Sequence, residues 1–255
     1  MRFDVITLFP ELFAPLLSVG VTRRAYASGQ VDVRLWNPRD HGQGNYRRVD
    51  DRPFGGGPGM VMMAEPLERC LEQIRADRAE EEGARAPLVL FSPQGERLHH
   101  GAVAQWAQGS GAILLCGRYE GIDQRFIDAH VQQQISLGDF VLSGGEIAAM
   151  ALLDAVARLQ PGVLGDEHSH QLDSFNPQLD GLLDCPHYTR PEQWQGREVP
   201  AVLLSGHHEQ IERWRRDQRL QASARLRPDL VDAARAKGLL TRRDEASLEF
   251  GRSEL

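Results

Sequence analysis

The sequence predicts an α/β protein with a parallel β-sheet. Two short apolar runs, Ile113–Cys116 and Ile135–Leu142, each end in turn residues, Gly117–Gly121 after the first and Ser143–Gly145 after the second. Compact apolar runs bounded by glycines are typical of buried parallel strands. Ligands of open α/β sheets bind at the loops that follow the carboxyl ends of the strands, and glycines there let the backbone approach a ligand closely. We therefore predict a ligand site built largely from main chain at these two loops.

Other segments in the first 160 residues fit the same fold class. Short apolar segments predict three more strands, at Phe3–Phe9, Val31–Trp36 and Leu88–Phe91, and a loop follows the last of them at Ser92–Gly95. Helical patterns are present at Glu11–Val19, Met60–Ile74, Val103–Gln108 and Glu146–Leu159. The segment His41–Gly59 has no periodicity, which indicates a functional loop or a disordered segment.

The chain is predicted to contain two domains. Pro161-Gly162 end the last helix of the α/β part, and Gly165–Gly181 is polar and aperiodic, as in a linker or a lid. Short helices are predicted beyond it at Ser205–Leu220, Asp229–Ala236 and Thr241–Leu248, and Thr241 with Asp244 resembles a capping box. The predicted boundaries are an α/β domain at 1–160, an interdomain linker or lid at 161–176 and a helical domain at 177–255.

Length and composition narrow the possible functions. The 255 residues suit one large domain or two smaller ones. No apolar run approaches the roughly 20 residues that span a bilayer, and the N-terminus lacks the pattern of a signal peptide, so no membrane association is expected. Cys70, Cys116 and Cys185 are odd in number and far apart, which argues against a disulfide framework and favours a cytoplasmic location.

Basic residues are concentrated near the C-terminus. The net charge of the chain is −7, yet the segment from His207 to Arg243 contains ten basic and five acidic residues. Nearly all basic residues of the chain are arginine, and Lys237 is its only lysine. The base composition of the genome explains this preference as readily as RNA recognition does. The run Arg213–Arg219 fits a solvated helix face. It also fits an RNA-facing helix, because Trp214 could stack on a base while arginines hold phosphates.

Single motifs allow both functional and structural interpretations. The glycine-rich segment Gly55–Gly59 could cradle a phosphate, but no Gly-Lys-Ser/Thr follows it, so a Walker A loop is excluded. The histidines and cysteines lack zinc-site spacing. Asp154 and Arg158 are four residues apart on a predicted helix, where an ordinary ion pair is expected. Asp173 lies in a polar segment in which an aspartate is commonplace.

Five longer strings together are far more specific. The chain resembles the bacterial tRNA (guanine-N1)-methyltransferases, which modify guanine 37 beside the anticodon, over essentially its whole length. The strings that carry the resemblance are Val49–Met60, Leu115–Asp123, Gly138–Glu146, Asp184–Pro191 and Ser205–His208. The resemblance implies a SPOUT-class fold with a deep trefoil knot, a rare exception to the rule that chains do not thread loops. It also implies a small all-helical C-terminal domain, an obligate homodimer, S-adenosylmethionine bound in the knot, and a tRNA site shared between subunits.

The resemblance assigns roles residue by residue. Asp173 matches the family's general base, Arg158 matches the arginine beside it, and Asp50 is expected to help order the tRNA. Residues expected to bind S-adenosylmethionine are Ser92, Pro93, Gly117, Tyr119, Glu120, Leu137, Gly138, Asp139, Phe140, Val141, Leu142, Gly144 and Gly145. Of the basic run, Arg215 and Arg219 are expected to contact tRNA phosphates. Magnesium assistance is a family trait, but the sequence shows no ligand set for it.

This chain departs from the family pattern at a few positions. Phe54 and Phe140 stand where tyrosine is common, Ser143 stands where threonine is common, and Asn176–Leu179 resembles a short insertion. Two alternative functions remain at this point. A nucleotide hydrolase using Gly55–Gly59 is disfavoured because the Walker lysine is missing. A non-catalytic RNA-binding module would leave the glycine-rich loops between residues 117 and 145 without a purpose.

Overall fold

The computed structural model of the chain describes residues 1–42, 44, 46–79, 86–165 and 169–252. Contacts divide the chain into two compact units, residues 1–167 and 168–255. The division falls inside the segment 161–176, whose role as a linker or lid stays a prediction. Among the described residues, no helix is both long enough and apolar enough to cross a bilayer.

A five-stranded parallel sheet forms the centre of the first unit. Its strands, together with a short antiparallel pair, are β1 (Arg2–Ile6), β2 (Asp32–Trp36), β3 (Asp50–Asp51), β4 (Val61–Met62), β5 (Leu88–Arg97), β6 (Gly111–Leu115) and β7 (Gln133–Ser136). The order in the main sheet is β2-β1-β6-β5-β7, with every neighbouring pair parallel. The pair β3-β4 is separate and antiparallel. The α/β class with a parallel sheet is therefore confirmed.

Helices cover both faces of this sheet. They are α1 (Ala14–Ser18), α2 (Arg23–Ala27), α3 (Ala64–Ala79), α4 (His100–Gln108), α5 (Gln124–His130) and α6 (Glu146–Ala157), with 3-10 turns at Pro10–Phe13 and Pro38–His41. Successive strand side chains point to opposite faces. Val89 accordingly packs in a core with α4 and α6, whereas Leu88 packs in a second core with α3 and α5. Burial on both faces explains why the strands are continuous apolar runs.

The crossovers place a crevice at the carboxyl edge of the sheet. The connection from β5 to β6 runs through α4 on one face, and the connection from β6 to β7 runs through α5 on the other. The loops after the neighbouring strands β5 and β6 therefore diverge. Such a divergence opens a crevice in which ligands of α/β proteins bind.

The bounds of several predicted elements differ from those in the structure, and in two cases the kind of structure differs as well. The run Ile135–Leu142 is not one strand, because β7 ends at Ser136 and a turn follows, in which the Gly138 amide donates to Ser136 Oγ at 3.1 Å and Gly138 has a φ of 153°. The predicted helix Met60–Ile74 begins only at Ala64 and continues to Ala79, since Val61–Met62 pairs with Asp50–Asp51 as a strand. The sequence patterns also missed α2 and α5.

The second unit consists mainly of helices around a small core. Its helices are α7 (Ala201–Leu204), α8 (His208–Leu226), α9 (Pro228–Ala236) and α10 (Arg242–Arg252), and Leu182, Leu220, Val231, Ala234 and Leu248 form the buried core. A two-stranded hairpin, β8 (Gln193–Trp194) and β9 (Arg197–Glu198), is also present, so the expectation of an all-helical domain needs correction. A β-pair of two residues per strand gives no alternating pattern long enough to recognise.

The start of α10 has the predicted capping box. The Thr241 amide donates to Asp244 Oδ2 at 2.9 Å, and the Asp244 amide donates to Thr241 Oγ1 at 3.2 Å. Arg213 and Arg216 of α8 also donate to the Asp244 carboxylate, which is 2% exposed. Burial pushes the pKa of Asp244 upward, but hydrogen bonds from Thr241 and the charge of Arg216 outweigh it and hold the pKa well below its usual range. Asp244 thus joins α10 to α8.

Replacing Asp244 with Ala should destabilise the second unit by about 3 kcal/mol, because two arginines lose a buried partner. In the unmodified chain the folded-state pKa is lowered, so this contribution is complete above the unfolded value of about 4 and is lost as pH falls below it. Hydrogen exchange of the α8 and α10 amides measures both effects. Asp232→Ala, which removes a carboxylate that is 74% exposed, is the control and should cost about 0.5 kcal/mol or less. Equal protection in the two variants would contradict this assignment.

Candidate functional site

A cavity of about 430 Å³ lies at the carboxyl ends of β5, β6 and β7. Its walls come from the excursion in β5 at Ser92–Gln94, the loop Gly117–Ile122 after β6 and the loop Leu137–Gly145 after β7. Phe91 and Glu96 are both opposite Ile135, so the residues between them leave the ladder and form the predicted loop. The volume lies within the range of about 300–1,000 Å³ that is typical of small-molecule sites.

Close contacts with backbone or side-chain atoms explain two of the glycines. The Gly145 amide donates to the Gly117 carbonyl at 3.0 Å, and a Cβ on Gly145 would lie 2.8 Å from the Cys116 Cα. A Cβ on Gly144 would lie 2.3 Å from Arg118 Nε and 2.6 Å from Glu146 Oε2. Side chains at these positions would push the loop after β7 away from the end of β6. The glycines therefore serve the packing of the loops as well as any contact with a ligand.

Nearly all of the predicted cofactor residues face this cavity. The lining set includes Ser92, Pro93, Gly117, Tyr119, Glu120, Leu137, Gly138, Phe140, Val141, Leu142, Gly144 and Gly145. Asp139 is outside that set, because its carboxylate is exposed and pairs with Arg97. The structure thus brings together residues that are up to 53 positions apart in the chain, from Ser92 to Gly145. Their role in binding stays a prediction.

A buried ion pair supports the floor of the cavity. Arg118 Nε lies 2.9 Å from Glu146 Oε2, and the two side chains are 18% and 1% exposed. The hydroxyl of Thr7, next to the end of β1, donates to Glu146 Oε1 at 2.9 Å, and Arg118 Nη1 donates to the Ser143 carbonyl at 3.2 Å. Burial raises the pKa of the neighbouring Cys116 thiol, and the Glu146 carboxylate raises it further. Cys116 is therefore a protonated core residue at neutral pH and no nucleophile.

The cavity suits a ligand with both polar and apolar parts. Leu90, Ile122, Ile127 and Ile135 supply apolar walls, whereas the turns at residues 117–121 and 137–145 bring peptide groups to the surface of the cavity. Apolar walls can cover an aromatic ring, and peptide N–H and C=O groups can hydrogen-bond to its edge and to hydroxyls. In the described part of the chain, no group of three or more His, Cys, Asp or Glu side chains could hold a metal ion.

The predicted catalytic residues lie in different units. Arg158 is the C-cap residue of α6 in the first unit. Asp173 belongs to the second unit, where its amide donates to the His170 carbonyl at 3.4 Å and its own carbonyl accepts from the Asn176 amide at 3.2 Å. Phe175, two residues on, has a left-handed φ of 70°. These contacts fix the backbone at Asp173 within its own unit, and both catalytic roles stay predictions.

The predicted tRNA residues differ in accessibility. Asp50 lies in β3, and its carboxylate is close enough to the Tyr119 hydroxyl of the cavity wall to raise the pKa of that hydroxyl. Arg215 is 43% exposed and pairs with Glu212 on the surface of α8. Arg219 is 9% exposed and its Nε lies 3.4 Å from Asp184 Oδ1. A phosphate could reach Arg215 directly, whereas Arg219 would first have to leave its buried position.

Sequence patterns missed Arg118, Glu146 and Arg39 as parts of the site. Arg118 follows a buried strand closely, and Glu146 follows a pair of glycines. A charged side chain in such a position must be paired, and this requirement was the available signal. The glycine-rich segment Gly55–Gly59 does not lead directly into a helix, since α3 begins five residues later at Ala64. It therefore lacks the helix N-terminus of a phosphate-binding loop.

Comparisons with known proteins identify the family of this chain. The family described as tRNA (guanine-1)-methyltransferase TrmD matches residues 1–233. Proteins named tRNA (guanine-N(1)-)-methyltransferase from Paracidovorax citrulli and Polaromonas sp. are 78% and 73% identical over 248 residues, which cover 97% of this chain and 97% and 96% of theirs. The protein of that name from Cupriavidus taiwanensis is 57% identical, over 97% of this chain and 94% of its own. The match over nearly the whole length shows that this chain belongs to the tRNA (guanine-1)-methyltransferase family.

Proposed function

We propose that this protein transfers the methyl group of S-adenosylmethionine to N1 of guanine 37 in tRNA. Membership of the family supports both the reaction and S-adenosylmethionine as the methyl donor. The observation that supports the location of the site is the cavity at the carboxyl ends of β5, β6 and β7, which is lined by the residues that the resemblance assigns to the cofactor.

The residues of the cavity fit S-adenosylmethionine. The apolar side chains of Leu90, Ile122 and Ile135 would cover the adenine ring, and the peptide groups of residues 117–121 and 137–145 would bind the ring edge and the ribose. Phe140, which is 55% exposed, and Val141, which is 85% exposed, offer further apolar surface on the same loop. The cofactor supplies a methyl group on a positively charged sulfur, from which an in-line attack by a nitrogen can take it.

The chain must supply a base, because guanine N1 carries a proton at neutral pH. Asp173 would take that proton as the new N–C bond forms, so that the nitrogen lone pair is available to attack. Negative charge then moves towards O6 of the base, where the guanidinium of Arg158 would stabilise it. The rest of the rate enhancement would come from positioning, since the target base has to leave the anticodon stack and meet the methyl group in line.

The proposal includes a trefoil knot and a homodimer. The knot is supported by the packing of the loop after β7 directly on the end of β6, where the Gly145 amide donates a hydrogen bond to the Gly117 carbonyl. Supporting the homodimer, Phe140, Val141 and Ile147 are exposed apolar residues at or beside the cavity, which a partner subunit could cover. A dimer would also let the second unit of one subunit present Asp173 at the cavity of its partner. The proposal keeps magnesium assistance as a trait of the family and assigns no ligands to it.

Replacing Gly117 with Ala tests the cofactor assignment. The new methyl group would make ordinary contacts at 3.4 Å with Ile122 and 3.9 Å with Leu90, so the protein should fold. Because these side chains line the cavity, we expect S-adenosylmethionine affinity, measured by calorimetry, to fall about tenfold or more. Gly165→Ala, which adds a methyl group with nothing within 4 Å, is the control. Unchanged affinity in a folded Gly117→Ala variant would place the cofactor elsewhere. Gly144 is a poorer choice, since its Cβ would displace Arg118.

Replacing Asp173 with Asn should slow methyl transfer about 10²–10⁴-fold, as is typical when a general base is lost. The affinity for S-adenosylmethionine should remain that of the unmodified enzyme. Single-turnover assays with unmodified tRNA, with the methylated nucleotide mapped, measure the rate and the position together. Asp232→Asn controls for removing a negative charge from the second unit. A rate within a few-fold of the unmodified enzyme would assign the proton to another base, and Asp50 would be tested next.

Binding of tRNA should depend on Arg215 more than on Arg219. Each phosphate contact releases counterions, so losing one flattens the dependence of log affinity on log salt concentration by about 0.7–0.9. We expect Arg215→Gln to show this change, with S-adenosylmethionine affinity unaltered. Arg219→Gln should lower the stability of the second unit and leave the slope unchanged, because Arg219 is buried against Asp184. A salt dependence that becomes flatter only in Arg219→Gln would show that Arg219, and not Arg215, contacts a phosphate.

A further inference from the structure

A group of polar side chains joins the cavity to the loop that carries Asp50. Arg39 Nη2 donates to the Tyr119 hydroxyl at 3.1 Å, and the Asp50 carboxylate lies close enough to raise the pKa of that hydroxyl. Tyr119 lines the cavity, whereas Asp50 belongs to the antiparallel pair β3-β4 outside it. The hydroxyl of one tyrosine therefore lies between a cation and an anion from two other segments of the first unit.

Each member of this group is held by its own backbone. Arg39 lies in the 3-10 turn Pro38–His41, which directly follows β2 and is capped by the Asn37 side chain accepting from the Arg39 amide at 3.0 Å. The end of that turn is tied to α3, because Arg69 Nη1 donates to the His41 carbonyl at 3.3 Å. Tyr119 has a left-handed φ of 61°, a conformation that costs a non-glycine residue about 1 kcal/mol or more. Contacts of the surrounding structure offset that cost, and the hydrogen bond from Arg39 is one of them.

The electrostatics of the group agree with its geometry. Partial burial raises the pKa of Tyr119 and the Asp50 carboxylate raises it further, while Arg39 acts in the opposite direction. The hydroxyl therefore stays protonated at neutral pH while it accepts from Arg39. Since Tyr119 remains 43% exposed, packing alone does not fix its ring. The hydrogen bond from Arg39 helps to hold the ring at the wall of the cavity, with the charge of Asp50 beside it.

A second contact joins the same two regions. The Glu120 amide donates to the Met60 carbonyl at 2.9 Å, and a Cβ on Gly59 would lie 2.5 Å from the Glu120 side chain. The position of the loop from Asp50 to Met60 thus depends on the positions of Tyr119 and Glu120. Any ligand that moves or fixes Tyr119 will also bias the loop, because contacts of this kind transmit a difference in binding free energy between sites.

We propose that Arg39 is a positioning residue, which holds Tyr119 at the wall of the cofactor cavity and thereby couples occupation of that cavity to the Asp50 loop. This inference rests on the proposed function, since it takes S-adenosylmethionine as the ligand of the cavity and tRNA as the ligand of the loop. Arg39 acts through the Tyr119 hydroxyl and need not touch either ligand. Its effect on the cofactor must therefore vanish when that hydroxyl is absent.

A double-mutant cycle on the full-length protein tests this dependence. We expect Arg39→Met and Tyr119→Phe each to weaken S-adenosylmethionine binding about three- to tenfold in calorimetry, the range of one net hydrogen bond. The double variant should be no weaker than Tyr119→Phe alone. Effects that multiply in the double variant, or an Arg39→Met variant with unchanged affinity, would overturn the proposal. Arg75→Met, an exposed arginine of α3 outside the residues that line the cavity, is the matched control.

Steady-state kinetics distinguish positioning from a general structural role. Arg39→Met should raise the KM for S-adenosylmethionine with little change in kcat, since the lost interaction is made equally in the ground state and the transition state. The proposed coupling predicts that saturating tRNA changes the cofactor affinity, and this change should shrink by the same factor in Arg39→Met and Tyr119→Phe. A flatter salt dependence of tRNA binding in Arg39→Met would instead identify Arg39 as a phosphate ligand and overturn the proposal. If the unmodified protein failed to bind S-adenosylmethionine, the proposed function itself would fail, which is a different result.

Discussion

The architecture of the cavity depends on one buried ion pair, Arg118 with Glu146. A carboxylate that is 1% exposed costs several kcal/mol to desolvate unless it is paired and hydrogen-bonded. Thr7 Oγ1 donates to Glu146 while accepting from the Phe9 amide, and Arg118 lies 4.4 Å from the centre of the Phe9 ring. The pair therefore holds the end of β1, the loop after β6 and the start of α6 together. Removing either charge would leave the other buried without compensation.

This pair restricts the loops above it. Because Arg118 and Glu146 occupy the space beside residue 144, and the Cys116 backbone occupies the space beside residue 145, only glycine fits at both positions without a shift. The chain can then pass over the end of β6 and present its peptide groups to the cavity. The proposed ligand site and the tight packing of the loops thus depend on the same glycines. A change that disturbs the packing would also change the walls of the cavity.

The sequence predicted those parts of the protein that depend on local patterns. Strands such as Leu88–Phe91 are apolar on both faces, and the capping box at Thr241 has its own short signature, so both were found. The run Ile135–Leu142 was misjudged because apolar residues such as Val141 line a ligand cavity instead of a core. Partners of charged residues could not be predicted either. Nothing in the local sequence shows that Glu146 meets Arg118 or that Arg219 is buried against Asp184, since both pairings depend on how distant segments pack.

The proposed recognition of the cofactor by main chain would explain why the departures from the family pattern can be tolerated. Phe140 stands where tyrosine is common, but its side chain is 55% exposed, and its amide still donates to the Gly138 carbonyl at 3.0 Å. Ser143 contributes its carbonyl to Arg118, a group that threonine has as well. A substitution leaves such a site intact as long as the φ and ψ angles stay the same. Tyr119 is different, because its hydroxyl accepts from Arg39, and phenylalanine would keep the backbone but lose this hydrogen bond. The loops of the cavity therefore combine positions such as Ser143, where the backbone makes the contact, with Tyr119, where the side chain makes it.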